Sequence, residues 1–269
     1  AEDNRVILLP QQAPRGMIFD RHLTVLARND AGFYLELQPS KIEGFQKTIQ
    51  MLREVTEITK NDVRKFKRLQ KEVRSYDGLP LRGPLSDFEV AKLVTRIQNL
   101  PGVAVRPRLI RSYPLGLSSS HILGHIGRIS EDDLLRQKKQ NNAKQYRGFT
   151  HIGKLGVEES YENLLRGKIG YQHVEVTAGG KMIRELNNSL PIPGKSITLT
   201  IDAKLQRLVE DSFGKRKGGL VAIEPSTGEI LAFVSMPNFD PNAFIDGVDQ
   251  KIWEKLNTSP DKPLLNRPL

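Results

Sequence analysis

No helix and no interior strand runs easily through Pro191-Ile192-Pro193-Gly194, because the two prolines withhold backbone donors and fix φ while the glycine releases it. The segment breaks the chain, and the hydrophobic pattern differs on its two sides. Before it, short extended runs enclose a group of helices; after it the order is strand, helix, strand, strand. A chain of 269 residues divides naturally into two modules at roughly 100–200 residues per domain. The boundary is placed at residue 195.

In the first module Arg5–Leu9, Met17–Phe19 and Phe33–Gln38 read as strands, with Phe33, Leu35 and Leu37 directed to one face. Helices are expected over about 41–56 and 60–74. Thr59 with Asp62 opens the second of these with a capping box, Ser86 with Glu89 opens a third that ends near Leu100-Pro101-Gly102, and Ser130 with Asp133 opens a short fourth. That fourth helix is expected to run into an exposed polar loop, Gln137–Gln145. Val103–Tyr113 reads as extended. From Gly153 a helical segment carries Leu155, Tyr161, Leu164 and Leu165 and stops at Gly167, and a strand pair follows, Tyr171–Thr177 with Lys181–Leu186 across Ala178-Gly179-Gly180. In the second module Ser196–Ile201, Leu220–Ile223 and Ile230–Ser235 read as strands, and Asp202 caps a helix carrying Leu205, Leu208, Val209 and Phe213. The fold class is α+β.

Apolar residues at 38% and charged residues at 27% describe a folded chain rather than a disordered or membrane-embedded one. No stretch reaches the ~20 apolar residues of a spanning helix. The chain opens at Ala1-Glu2-Asp3-Asn4 with neither a start methionine nor an apolar leader, so an anchoring element is expected to have been removed. The absence of cysteine excludes disulfides and thiolate metal sites. The formal charge of +10 suits a nucleic acid, an anionic membrane surface or an acidic partner. Its densest run is Lys60 to Arg74, where Val63, Phe66, Leu69 and Val73 recur at helical spacing and basic residues fill the remaining circumference. Aromatic residues for base stacking are not interleaved there, so a solvated basic face is favoured and no nucleic acid is expected as partner.

Pro14-Arg15-Gly16-Met17-Ile18-Phe19-Asp20-Arg21, preceded by Asn4-Arg5, resembles the opening motif of the non-catalytic module of class B penicillin-binding proteins. Arg111-Ser112-Tyr113-Pro114-Leu115-Gly116, then His121 to Gly127, then Gly153-Lys154-Leu155-Gly156-Val157-Glu158 with Leu164-Leu165-Arg166-Gly167, follow in that family's order. Leu199-Thr200-Ile201-Asp202 and Ala222 to Ala232 resemble the start of its transpeptidase domain, and Met236 to Asn242 and Asn266-Arg267-Pro268 carry the likeness to the end. The Gly-Lys-Leu-Gly-Val-Glu form favours the elongation type over the division paralogue. One departure is visible: His22-Leu23 stands where the family has an Asn-Gly turn.

The resemblance implies an elongated pedestal over residues 1–195 with a helical head subdomain at about 40–110, followed at 196–269 by the first strands and helix of a serine transpeptidase, β-lactamase-like domain. It implies a parent enzyme that cross-links peptidoglycan stem peptides through a serine ester and is blocked by β-lactams. The implied partners are a membrane glycan polymerase of the SEDS family and a cell-shape scaffold protein. The implied location is the periplasmic face of the bacterial inner membrane, with an N-terminal transmembrane helix in the parent. A stand-alone interaction module of the cell envelope, or the division-type paralogue, is the alternative.

Gly16, Gly124, Gly127, Gly156 and Gly167 are expected at positions of positive φ or close backbone approach. Arg15, Asp20, Arg21 and Glu158 are expected to form a charge network tying strands together. No catalytic residue, metal ligand or cofactor site is assigned. His121 and His125 have the spacing of helix-borne zinc ligands, but Ile122 stands where a glutamate would. Serine acyl transfer in this superfamily requires Ser-x-x-Lys at the start of a helix, where one turn sets the amine against the hydroxyl. Ser212 to Lys215 lies where a helix should end at Gly214, and Lys262 of Ser259 to Lys262 is followed by Pro263. Neither is expected to acylate, and in the family the nucleophile follows shortly after the position of Leu269.

Overall fold

A computed structural model describes residues 5–72, 78–97, 100–176 and 182–269. Asn4, Val73, Arg74, Thr177, Lys181 and the residues Ala178-Gly179-Gly180, where a turn is expected, lie outside the described residues. Two compact units appear: Ala1–Asn29 with Arg111–Leu269, and Asp30–Ile110. Helix and strand mix in the α+β manner, and among the described residues no helix is long and apolar enough to cross a membrane.

The larger unit begins with β1 (Arg5–Gln11) and β2 (Ile18–Phe19), and β3 (Val25–Leu37) leads into the smaller one. The β2–β3 hairpin turns at His22-Leu23, and Leu23 accepts a left-handed φ of 63° without being glycine. Asp20 makes this tolerable: its Oδ1 accepts from the amides of His22 at 2.8 Å and Thr24 at 2.7 Å.

In the smaller unit β3 is followed by α1 (Phe45–Arg53), α2 (Lys60–Glu72), β4 (Leu79–Leu85), α3 (Asp87–Ile97) and β5 (Val103–Ser112). The helix expected from residue 41 begins only after Gly44, a left-handed N-cap; Pro39–Lys41 is a 3-10 turn. The core is Leu35, Leu37, Leu52, Phe66, Leu79 and Leu93 with their neighbours, each contributing about 1.5–3 kcal/mol over exposure. Phe33 does not share the face of Leu35 and Leu37. It is 42% exposed while Tyr34 and Glu36 are buried, because the register shifts between Phe33 and Leu35 and breaks the alternation. Both expected capping boxes form here, Thr59 with Asp62 and Ser86 with Glu89.

The chain returns to the larger unit through α4 (Ser120–Leu123), β6 (Ile126–Arg128), α5 (Glu131–Lys139), β7 (His151–Gly153), α6 (Gly156–Ser160), α7 (Glu162–Leu165), β8 (Gly170–Val176) and β9 (Met182–Ser189). Ser130 and Asp133 cap α5 reciprocally. The stretch expected as a polar loop is helical to Lys139 and then folds Ala143–Tyr146 into a 3-10 turn that buries Tyr146. Gly153 ends a strand rather than starting a helix. The segment after it is two short helices separated at Tyr161, with Leu155, Tyr161 and Leu164 exposed and only Leu165 inside. β1, β8 and β9 form an antiparallel sheet in the order β1-β8-β9, and β6 pairs with β7.

The last elements are β10 (Ile197–Thr198), α8 (Ala203–Phe213), β11 (Gly218–Ile223), β12 (Ile230–Met236) and α9 (Gln250–Thr258). The strand expected over 196–201 shortens to two residues and pairs in parallel with β2, Ile197 opposite Ile18. On α8 the buried stripe is Ala203, Gln206 and Glu210, while Leu208 is 64% exposed. Gln206 explains the reversal: its amide accepts from Phe233 N at 2.8 Å and donates to Phe233 O at 2.9 Å, binding α8 to β12 by hydrogen bonds rather than by leucines.

Candidate functional site: a buried ion-pair junction

Glu158 enters on the first turn of α6 and is fully buried. Its Oε2 accepts from Arg15 Nε at 2.6 Å, and its Oε1 accepts from Arg111 Nε at 2.7 Å and from the Tyr113 hydroxyl at 3.1 Å. Arg15 also reaches Glu162 Oε2 at 2.7 Å, and Arg111 donates to the carbonyl of Gly16 at 2.7 Å. Two guanidinium groups thus face two carboxylates, and the burial cost of each charge is offset by a partner.

Burial opposes ionisation of Glu158, but Arg15 and Arg111 outweigh it and hold the carboxyl below its ordinary value. Burial also opposes the charge on Arg15; Glu158 and then Glu162 overcome it and raise the guanidinium above its ordinary value. Burial and the negative charge of Glu158 push Tyr113 well up, so its hydroxyl remains a donor. That hydroxyl accepts in turn from Ile126 N at 2.9 Å, and Glu162 Oε2 accepts from Gly153 N at 2.9 Å. The junction therefore fastens the segment before β2, the end of β5, β6, β7, α6 and α7 to one another. It extends to the segment after β12, where the Asn242 amide accepts from Tyr113 N at 2.9 Å and donates to Tyr113 O at 3.0 Å.

Of the four residues expected in one network, Arg15 and Glu158 meet, but Asp20 and Arg21 do not join them. Asp20 forms a second junction: besides the hairpin amides, its Oδ2 accepts from Ala203 N at 3.0 Å, the first amide of α8. Burial would raise the Asp20 carboxyl, but the amides of Ala203, Thr24 and His22 outweigh it and lower the value. Arg21 meets Glu229 at 3.5 Å on the surface. Arg111, Tyr113 and Glu162 were not assigned to the junction from sequence, although Arg111 and Tyr113 lie inside a motif that carried the resemblance.

The glycines sit around these junctions. Gly124 and Gly156 have φ of 66° and 62°, and a Cβ on Gly124 would lie 1.9 Å from the carbonyl oxygen of Leu155. The contact sets the end of α4 against the start of α6 and so aims Glu158 inward. Gly16 passes close to the backbone of Lys195, Gly167 to that of Ile192, and Gly127 faces the side chain of Lys154 with the carbonyl oxygen of Phe244 beyond it.

Neither Ser-x-x-Lys has the geometry of a nucleophile. Ser212 donates to Leu208 O at 2.7 Å at the end of α8, and Ser259, just past α9, accepts from Asp261 N at 3.2 Å. His125 stacks on Phe244 with ring centroids 4.5 Å apart, and His121 meets Phe239 edge-on. Burial lowers the pKa of both. Among the described residues no group of three or more His, Asp or Glu is arranged to hold a metal ion.

Residues 10–199 match the family model of the Penicillin-binding Protein dimerisation domain. The chain is 34% identical over 267 residues to the peptidoglycan D,D-transpeptidase MrdA of Escherichia coli K12, covering 99% of this chain and 42% of that relative. It is 36% identical to MrdA of Acinetobacter baumannii, covering 99% of this chain and 39% of that one. Among solved structures, PBP2 of Helicobacter pylori in its complex with MreC matches with a TM-score of 0.81 at 25% identity, covering 98% of this chain and 49% of that chain. PBP2 of Pseudomonas aeruginosa in complex with WCK 5153 matches with a TM-score of 0.57 at 29% identity, covering 97% and 37%. The chain spans less than half the length of each of these relatives.

Proposed function

The chain belongs to the family of penicillin-binding proteins with the dimerisation domain, and on that premise we propose that it is the pedestal and the first part of the transpeptidase domain of a peptidoglycan D,D-transpeptidase. The parent cross-links stem peptides during cell-wall elongation and maintenance of rod shape. Residues 1–195 are the pedestal, with about 40–110 its head subdomain, and 196–269 begin the transpeptidase fold. The observation that carries this reading is the 34% identity to MrdA over 99% of the chain.

The geometry supports the division of labour. A fully buried ion-pair junction is suited to holding elements in place, and no serine with a paired lysine stands among residues 212–215 or 259–262. The chain's own work is positioning and docking. β11 and β12 form a two-stranded sheet with Val221 and Ile223 exposed, which suits a sheet that gains strands in the complete protein. By the same reading the parent meets a SEDS-family glycan polymerase and a cell-shape scaffold protein, binds β-lactams, and works at the periplasmic face of the inner membrane. The H. pylori relative solved with MreC supports a docking role. The test is a chimera in which this chain replaces the matching part of E. coli MrdA in cells depleted of their own. Restored rod shape is expected; round cells despite a stable, membrane-located chimera would contradict the proposal.

A further inference from the structure

A cavity of about 220 Å³ opens within the smaller unit. It is smaller than the roughly 300–1,000 Å³ of clefts that take drug-sized ligands, so it suits a compact molecule. Glu36, Lys41, Gly78, Gly102 and Arg106 line it. Glu36, near the end of β3, is buried, and Arg108 on β5 braces its carboxylate by donating through Nε to Oε1. Arg106, two positions before Arg108, holds its Nε 3.8 Å from Glu36 Oε2, which is beyond hydrogen-bond distance, and its side chain is mostly exposed. Lys41 ends the 3-10 turn Pro39–Lys41 and is exposed; among the described residues its ammonium meets no carboxylate at ion-pair distance. Gly102 holds that turn in place. Its carbonyl accepts from Gln38 N at 2.7 Å, and a Cβ on it would lie 3.0 Å from the carbonyl oxygen of Gln38.

Among the described residues, the cations Lys41, Arg106 and Arg108 thus stand at this cavity against the single carboxylate of Glu36, whose Oε1 is already engaged. A concave site with one sign of charge in excess focuses the field and draws the opposite charge. We propose that the cavity binds a compact dianion, with phosphoryl or carboxylate oxygens, held by Lys41 and by the guanidinium of Arg106. The planar fork of a guanidinium presents paired N–H donors that match either oxyanion. A cationic ligand is disfavoured by the same excess of charge, and a zwitterion would leave that excess uncompensated. This inference goes beyond the proposed function and does not depend on it.

The test is isothermal titration calorimetry of the 269-residue chain at pH 8 and low salt, with inorganic phosphate, succinate and alanine as separate titrants. Saturable binding is expected for phosphate or succinate, and the arm that binds tells which oxyanion the cavity takes. The zwitterion alanine should not bind. Lys41→Gln and Arg106→Gln, both at exposed side chains, should each weaken binding about ten-fold. A control that removes charge elsewhere, Lys138→Gln with Lys139→Gln on the exposed surface of α5, should bind as the parent chain does. No saturable binding of either dianion, binding of alanine in their place, or equal weakening in the α5 control would overturn the proposal.

Discussion

Gly124 and Gly156 hold two chain segments at a separation that admits no side chain: a Cβ on Gly156 would lie 2.7 Å from the amide nitrogen of Gly124. Both are in the left-handed region, so an added methyl group meets an unfavourable φ as well as a clash. Gly156→Ala should lower unfolding free energy by about 2–4 kcal/mol, read as a fall in the urea midpoint at unchanged slope. A change below about 0.5 kcal/mol would show that the segments separate freely.

Replacing Glu158 by Gln leaves Arg111 buried without its carboxylate and Arg15 with Glu162 alone. The expected cost is about 3–5 kcal/mol. Glu159, one position on, meets Arg136 at 2.9 Å on the surface, and Glu159→Gln should stay within about 1 kcal/mol. Equal effects of the two in urea denaturation would refute the primacy of the buried junction.

The contrast between these neighbours shows what is legible in sequence. Capping boxes at Thr59/Asp62, Ser86/Glu89 and Ser130/Asp133 are readable because both partners lie within one turn. The motif containing Glu158 is readable by resemblance, and so is the family. That Arg15 crosses 143 residues and Arg111 crosses 47 to reach one carboxylate is not, since no local spacing encodes it. Leu208 misleads for a related reason: periodicity places it with Leu205 on a helix face, but Gln206 decides which face is buried. The separation of Asp20 from Arg15 is equally tertiary, because its partner is the first amide of a helix that begins at Ala203.

Glu89 should give the smaller unit an acid limb. Hydrogen bonds from Thr56 and Ser86, with Arg82, outweigh burial and lower its carboxyl from 4.5 to about 2. A depressed folded value means stability that is present above pH 4.5 and lost as pH falls toward 2. Glu89→Gln should therefore be destabilising at neutral pH, with the difference from the parent chain shrinking as acid is added. A constant difference across that range, measured by urea midpoints, would exclude the linkage.

Burial lowers the pKa of His125, which favours its neutral form in the folded state. The contribution is complete above its ordinary value of 6.5 and is lost as pH falls below it. His125→Phe, which keeps a ring against Phe244, should flatten the stability profile between pH 7 and 5. An unchanged slope would assign the dependence to other groups.

On the proposed function, these residues build a scaffold around Glu158 and neither Ser212 nor Ser259 carries out acyl transfer. Fluorescent penicillin labelling, with the labelled peptide located by mass spectrometry, tests it directly. No label is expected on the 269-residue chain. Label on Ser212 or Ser259 would contradict it.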